Sequence, residues 1–142
     1  MITKQLSVFI ENRKGRLSEV LDALKEGNVN IISMSLADTT EYGLLRLIVN
    51  DPVRGKKELS DKGFSCLLSN VMILKIPHVS GSLQQLLKLI EKADINVEYM
   101  YGLSIDKEEA YVVLKASDFA KTEEVLKQNG VETISPEKLL QM

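Results

Sequence analysis

Two spacings alternate along this chain. In residues 4–10, Leu6, Val8 and Ile10 recur at every second position, which predicts a strand with one face turned inward. In residues 15–27, Leu17, Val20, Leu21 and Leu24 recur at threes and fours, which predicts an amphipathic helix ended by Gly27. Residues 29–38 return to strand spacing. A polar turn from Asp38 to Glu41 separates them from a second strand over 42–49. Pro52 then opens a short polar segment with a weaker helical stripe, and residues 64–70 read as a fourth strand. The order is βαββαβ.

The second half repeats it. Residues 71–77 read as a strand, and Leu83, Leu86, Leu87 and Ile90 form the next helical stripe. A shift of 66 positions brings Leu17 onto Leu83, Leu21 onto Leu87, Leu24 onto Ile90 and Asn30 onto Asn96. One extra residue in the middle turn makes the shift 67, which pairs Asp51 with Asp118, Leu59 with Leu126 and Gly63 with Gly130. Stripes, turn glycines and asparagines held in one register across two halves point to an internal duplication. The expected fold class is α+β: a ferredoxin-like βαββαβ plait, duplicated, with domains at 1–70 and 71–142. No linker separates the halves; the last strand of one runs directly into the first of the next. Several strands, such as residues 44–49 and 71–76, are apolar on both faces. Helices cover only one face of such a sheet, so the other is expected to meet a sister unit or another subunit; a homodimer is expected, although the sister unit could satisfy the same surface internally. Ser135 and Pro136 open a short terminal helix whose Leu139, Leu140 and Met142 are expected to pack onto the body.

The 142 residues carry a net charge of −2, which argues against a broad nucleic-acid footprint. Cys66 is the single cysteine, has no internal partner, and reads as a buried thiol. The first residues lack the pattern of a signal peptide, and no apolar run approaches the ~20 residues that span a bilayer. A cytoplasmic protein without membrane contact is expected. Catalytic chemistry is poorly supplied. With His78 the only histidine and Cys66 the only cysteine, neither a metal site of His ligands, nor a zinc-binding Cys pair, nor a convincing Ser/His/Asp set is available, and no phosphate loop or dinucleotide fingerprint is present. No catalytic residue, metal or cofactor is expected. Met34 and Met100 read as core fillers, Tyr99 and Tyr101 as one strand face, and Asp94 as a turn or cap.

The loop after the first strand, residues 11–17, places Asn12, Arg13, Lys14, Gly15 and Arg16 where a helix begins. Gly15 lets backbone approach closely, free N–H groups gather there, Asn12 can donate and accept, and the cations raise the local potential. A small anion such as a carboxylate could dock. A solvated strand-to-helix turn explains the same residues on spacing alone.

The doubled pattern, with this loop and its counterpart at residues 80–83, resembles the ACT domain family, and the whole chain looks like two ACT domains in tandem. The family's first loop runs Asp/Asn, any residue, Pro, Gly, any residue, Leu. Those positions fall on Asn12, Arg13, Lys14, Gly15, Arg16 and Leu17, with Lys14 in place of proline. Asn30 and Ile31 match the pair usual at the start of the second strand. In the second half His78 stands for Asp/Asn and Ser80 for proline, while Gly81, Leu83, Asn96 and Val97 keep the pattern. The resemblance implies a non-catalytic regulatory module that binds an amino acid at an interface between ACT domains and works beside an enzyme of amino-acid metabolism. It implies ligand contacts at Asn12, Arg13, Lys14, Gly15, Arg16, Leu17, Asn30 and Ile31, and at His78, Gly81, Asn96 and Val97 in the second unit. The departures at Lys14, His78 and Ser80 motivate the alternative, a protein-interaction or structural module whose ligand site has decayed.

Overall fold

The computed structural model describes residues 2–38, 41–105 and 107–141. The tip of the turn expected at Asp38 to Glu41, and Met142 of the expected tail packing, lie outside them. The chain divides into two units, one of Lys4–Ser69 and one of Asn70–Met142 that also takes in the residues before Lys4.

The first unit is built from β1 (Thr3–Glu11), α1 (Arg16–Glu26), β2 (Ile31–Asp38), β3 (Tyr42–Val49), α2 (Pro52–Asp61) and the start of β4 (Ser65–Pro77). The strands lie in the order β2-β3-β1-β4. Register sets Leu6 opposite Leu47 and Val8 opposite Leu45. These four side chains are fully buried, and Val20, Leu24 and Leu59 from the two helices close over them. Each such burial is worth roughly 1.5–3 kcal/mol against an exposed side chain. The weak stripe of α2 has a reason: its buried face includes Gly55, where an added Cβ would stand 3.1 Å from Leu6 Cδ2. At Gly55 the helix packs through its backbone, and Leu59 is its one fully buried side chain. Asp51 caps it, accepting the Arg54 N–H at 3.1 Å.

The second unit repeats the sequence of elements with the rest of β4, α3 (Ser82–Lys92), β5 (Val97–Ile105), β6 (Glu109–Ala116), α4 (Phe119–Gln128) and β7 (Glu132–Thr133), followed by α5 (Pro136–Leu139). Its strand order is β5-β6-β4-β7. Met72, Leu74, Leu114, Leu86, Ile90 and Leu126 form its core. Asp118 caps α4 on the Lys121 N–H at 3.1 Å, as Asp51 does for α2. The duplicated α+β plait expected from the repeat is therefore what the chain forms.

Several expectations change in detail. The strands read as 64–70 and 71–77 are one strand of 13 residues, β4. The polar side of β1 is not solvated: Gln5 and Ser7 are buried, with Gln5 Nε2 donating to Ser7 Oγ at 3.1 Å. Met34 is 41% exposed and Leu36 48%, because both sit on edge strand β2, so Met34 is not a core filler. Met100 does pack against its core. In the tail, Ser135 caps α5 on the Lys138 N–H at 3.2 Å and Leu139 is buried, but Leu140 is exposed. Cys66 is only half buried, and its Sγ lies 3.4 Å from Ser60 Oγ.

Candidate functional site

Each unit delivers its first helix in the same way. Gly15 precedes α1 with φ 90° and ψ −15°, and Gly81 precedes α3 with φ 88° and ψ −9°. Both lie in the left-handed region, where a Cβ meets the neighbouring carbonyl and glycine does not. Open space surrounds both positions, since an added Cβ would touch nothing within 4 Å. The glycine is thus there for its dihedral angles rather than for close approach. The residue three places earlier is pinned through its backbone: the Asn12 N–H donates to Glu41 O at 3.0 Å and the His78 N–H to Glu108 O at 2.8 Å. Both side chains are exposed.

The helix ends differ in their capping. Asp51, Asp118 and Ser135 cap α2, α4 and α5, whereas no side chain caps α1 or α3. The N–H groups of a helix's first turn have no partner within the helix, and the dipole makes that end positive. The first N–H of α1 and of α3 is taken by the loop backbone, that of Arg16 by Arg13 O at 3.4 Å and that of Ser82 by Val79 O at 3.2 Å. The N–H groups that follow have no side-chain cap, with Asn12 or His78 exposed in the loop before them, a setting suited to a carboxylate.

The cations of the first loop contribute less than expected. Arg13 Nε pairs with Glu11 at 2.9 Å. Arg16 folds back, pairs with Glu19, and lays its guanidinium 4.3 Å from the centre of the Phe64 ring, with Nε buried and lacking a hydrogen bond. Arg16 serves the packing of α1, and the charge of both arginines is countered locally. Lys14 remains exposed in the loop, and the second loop carries Val79 and Ser80 instead. Leu17 packs against the core.

Asn30 and Ile31 are not brought to this loop. They lie at the foot of α1, and an eleven-residue helix is roughly 16 Å long. Ile31 pairs with Val49, at the end of the sheet opposite the Glu11–Tyr42 pair. Asn30 exchanges hydrogen bonds with Asn50, its N–H donating to Oδ1 at 2.8 Å and its carbonyl accepting from the Asn50 N–H at 3.0 Å. Asn96 and Val97 hold the same place at the foot of α3, with Asn96 bonded to Ser117. A single site joining the loop with these strand starts is therefore not formed within either unit. A cavity of about 390 Å³ does lie at the foot of α1, beside Lys25, Asn28 and Asn30.

A second cavity, of about 210 Å³, opens at the head of α3. His78, Val79 and Leu83 line one side, and Gly102, Ile105 and Ala110 line the other. Sequence reading passed over Gly102 and Ile105. The signal was available in the repeat, which sets Gly102 against Leu36, a small residue against a large one at a strand position. Tyr99 and Tyr101 stack at 6.5 Å and oppose Lys115 and Val113. They lie on the sheet face away from Met100 and Leu114, and do not line this cavity. Among the described residues no cluster of three His, Cys, Asp or Glu side chains could hold a metal ion, and no helix is long and apolar enough to cross a membrane.

Comparison with known proteins places this geometry. A family profile described as an ACT domain pair matches residues 1–142. A protein of Bacteroides thetaiotaomicron with a known crystal structure is 34% identical, covers 100% of this chain and 98% of its own, and superposes with a TM-score of 0.94. The regulatory subunit of aspartate kinase from Thermus thermophilus, in its ligand-free form, shares the fold at a TM-score of 0.65 with 12% identity, over 88% of this chain and 90% of its own. The corresponding subunit from Thermus flavus gives 0.63 and 13% over the same shares. No curated protein matches the sequence.

Proposed function

The chain belongs to the family of paired ACT domains, and from that premise we propose that it is a non-catalytic regulatory protein that binds an amino acid at the head of the first helix of a unit. The observation that carries this reading is the capping contrast: α2, α4 and α5 end on Asp51, Asp118 and Ser135, and α1 and α3 are left open behind Gly15 and Gly81. The ligand's α-carboxylate accepts from the first-turn N–H groups, each bond to a charged group being worth roughly 1.5–3 kcal/mol. Its amino group is met by the side chain at Asn12 or His78 or by a loop carbonyl. The likeness to aspartate kinase regulatory subunits supports a role beside an enzyme of amino-acid metabolism.

In this reading the protein works in the cytoplasm as a homodimer, and a second chain supplies the far wall of the site. Binding biases the assembly through a difference in affinity between two states, with no chemical step. Calorimetric titration of the purified chain against each common amino acid tests the reading. Saturable binding of at least one is expected. Absence of heat for all of them at millimolar concentration overturns it and favours an interaction module.

A further inference from the structure

The two units part company at one register position. In β5, Gly102 lies opposite Val112 of β6. In β2, Leu36 lies opposite Leu45 of β3, the counterpart of Val112 in the repeat. The Leu36 side chain reaches over Gly43, its Cδ1 3.4 Å from the point where a Cβ would stand there, beside Ile10 at 3.1 Å. At Gly102 there is no side chain, and a Cβ would meet nothing within 4 Å. The 210 Å³ cavity lies alongside.

The strand also changes course after Gly102. Leu103 is an extra residue between the Gly102–Val112 and Ser104–Tyr111 pairs, and this bulge sets Ile105 opposite Ala110. The first unit has no such bulge there, and its Asp38 stands opposite Gly43.

We infer, resting on the amino-acid reading above, that the second unit alone takes the ligand, that its cavity selects a small aliphatic side chain, and that Leu36 closes the corresponding space in the first unit. The size is below the ~300–1,000 Å³ of pockets for drug-sized ligands, which restricts the occupant to a small molecule. Ile76, Val79, Leu83, Ile105, Ala110 and Val112 form its apolar walls, and no Asp, Glu, Lys or Arg side chain lines it. A charged side chain buried there would meet no fixed opposite charge, only the polar tips of His78, Ser82 and Tyr111, whereas an aliphatic one removes apolar surface from water. Val79 and Leu83 are 67% and 42% exposed, so the mouth itself has apolar surface to cover.

The test is calorimetric titration of the full chain with glycine, alanine, valine, leucine, aspartate and lysine. Valine or leucine is expected to bind at one molecule per chain, at least about ten-fold more tightly than glycine, aspartate or lysine. Gly102→Leu is expected to lose that affinity by at least about ten-fold, Gly102→Ala by a smaller factor, and Leu36→Gly to leave it unchanged. Gly102→Ala adds one methyl in open space on a strand, so it reports even if the leucine variant fails to fold. Binding of two molecules per chain, preference for a charged amino acid, or unchanged affinity in both Gly102 variants overturns the inference and leaves the amino-acid reading standing. Absence of binding by any amino acid overturns both.

Discussion

Asn30 and Asn50 hold each other by two hydrogen bonds, one through the Asn50 side chain at 2.8 Å and one through its N–H at 3.0 Å. The pair ties the start of β2 to the end of β3. Asn96 and Ser117 repeat it at 3.0 and 2.8 Å, with a hydroxyl in place of the amide.

Asn50→Ala is therefore expected to lower the unfolding free energy by roughly 0.5–1.5 kcal/mol, the net worth of one hydrogen bond. Asn50→Ser should recover most of that loss, since serine does the same work at position 117. Urea denaturation of the three proteins measures both. Equal loss in the alanine and serine variants would show that the side-chain bond is not what holds the strand pair.

Gly15→Ala places a Cβ at φ 90°. The surrounding space is empty, so the cost is one of backbone conformation, roughly 1–2 kcal/mol. Gly81→Ala should cost the same, and Gly102→Ala, outside the left-handed region, should cost nothing. Thermal unfolding of the three variants distinguishes conformational from steric penalties.

Ion pairs add to the buried Ile134 and Leu139 in holding the tail. Lys138 Nζ lies 3.0 Å from Glu132 Oε1, and Lys75 Nζ reaches both Glu109 at 3.0 Å and Glu132 at 3.4 Å. Lys138, with help from Lys75, holds the Glu132 carboxyl below its ordinary value of 4.5. A depressed carboxyl stabilises the fold above its unfolded value and loses that contribution as pH falls through the folded one. Glu109, aided by Glu132, raises Lys75 above 10.5, so its contribution is complete below that value and is lost as pH rises through the raised one. Lys138→Met is expected to flatten the acid limb of a plot of urea midpoint against pH, and an acid limb as steep as that of the unaltered protein would show that the pair does not carry it.

Asn12→Ala separates the two loops. With the ligand in the second unit, its affinity should change by less than about two-fold, because Asn12 then touches nothing that binds. A loss of ten-fold or more, the cost of roughly 1.5–3 kcal/mol for a bond to a charged group, would return the site to the first unit. Titration with the best-binding amino acid decides it.

The duplication was legible because its marks are local. A helical stripe needs its spacing, and the left-handed turns at Gly63 and Gly130, φ 89° and 71°, need glycine. Asp51 and Asp118 announce their helices by capping them. What the sequence concealed depends on width and distance. Alternation in β2 says which way Met34 and Leu36 point, but not that two helices are too narrow to cover an edge strand. Asn30 looked like a partner of Asn12 because the motif lists them together. A helix separates them, and Asn30 is occupied with Asn50. The match of Leu36 with Gly102 was visible in the 66-residue register but carries no meaning until the ladders show that the two hold equivalent positions, each opposite the corresponding residue of its own unit.

The exchange of leucine for glycine at that position bears on how steeply the protein can respond. A chain with two equal receptors could sharpen its own dose–response curve, because occupancy of one could help the other. With one receptor open and one stoppered, a single chain saturates along a plain hyperbola. A Hill coefficient above one then has to come from chains acting together, and cannot exceed the number of chains joined. Sensitivity to a metabolite would be set by assembly, and diluting the protein until its chains separate would remove the steepness and, with the far wall of the site gone, weaken binding as well.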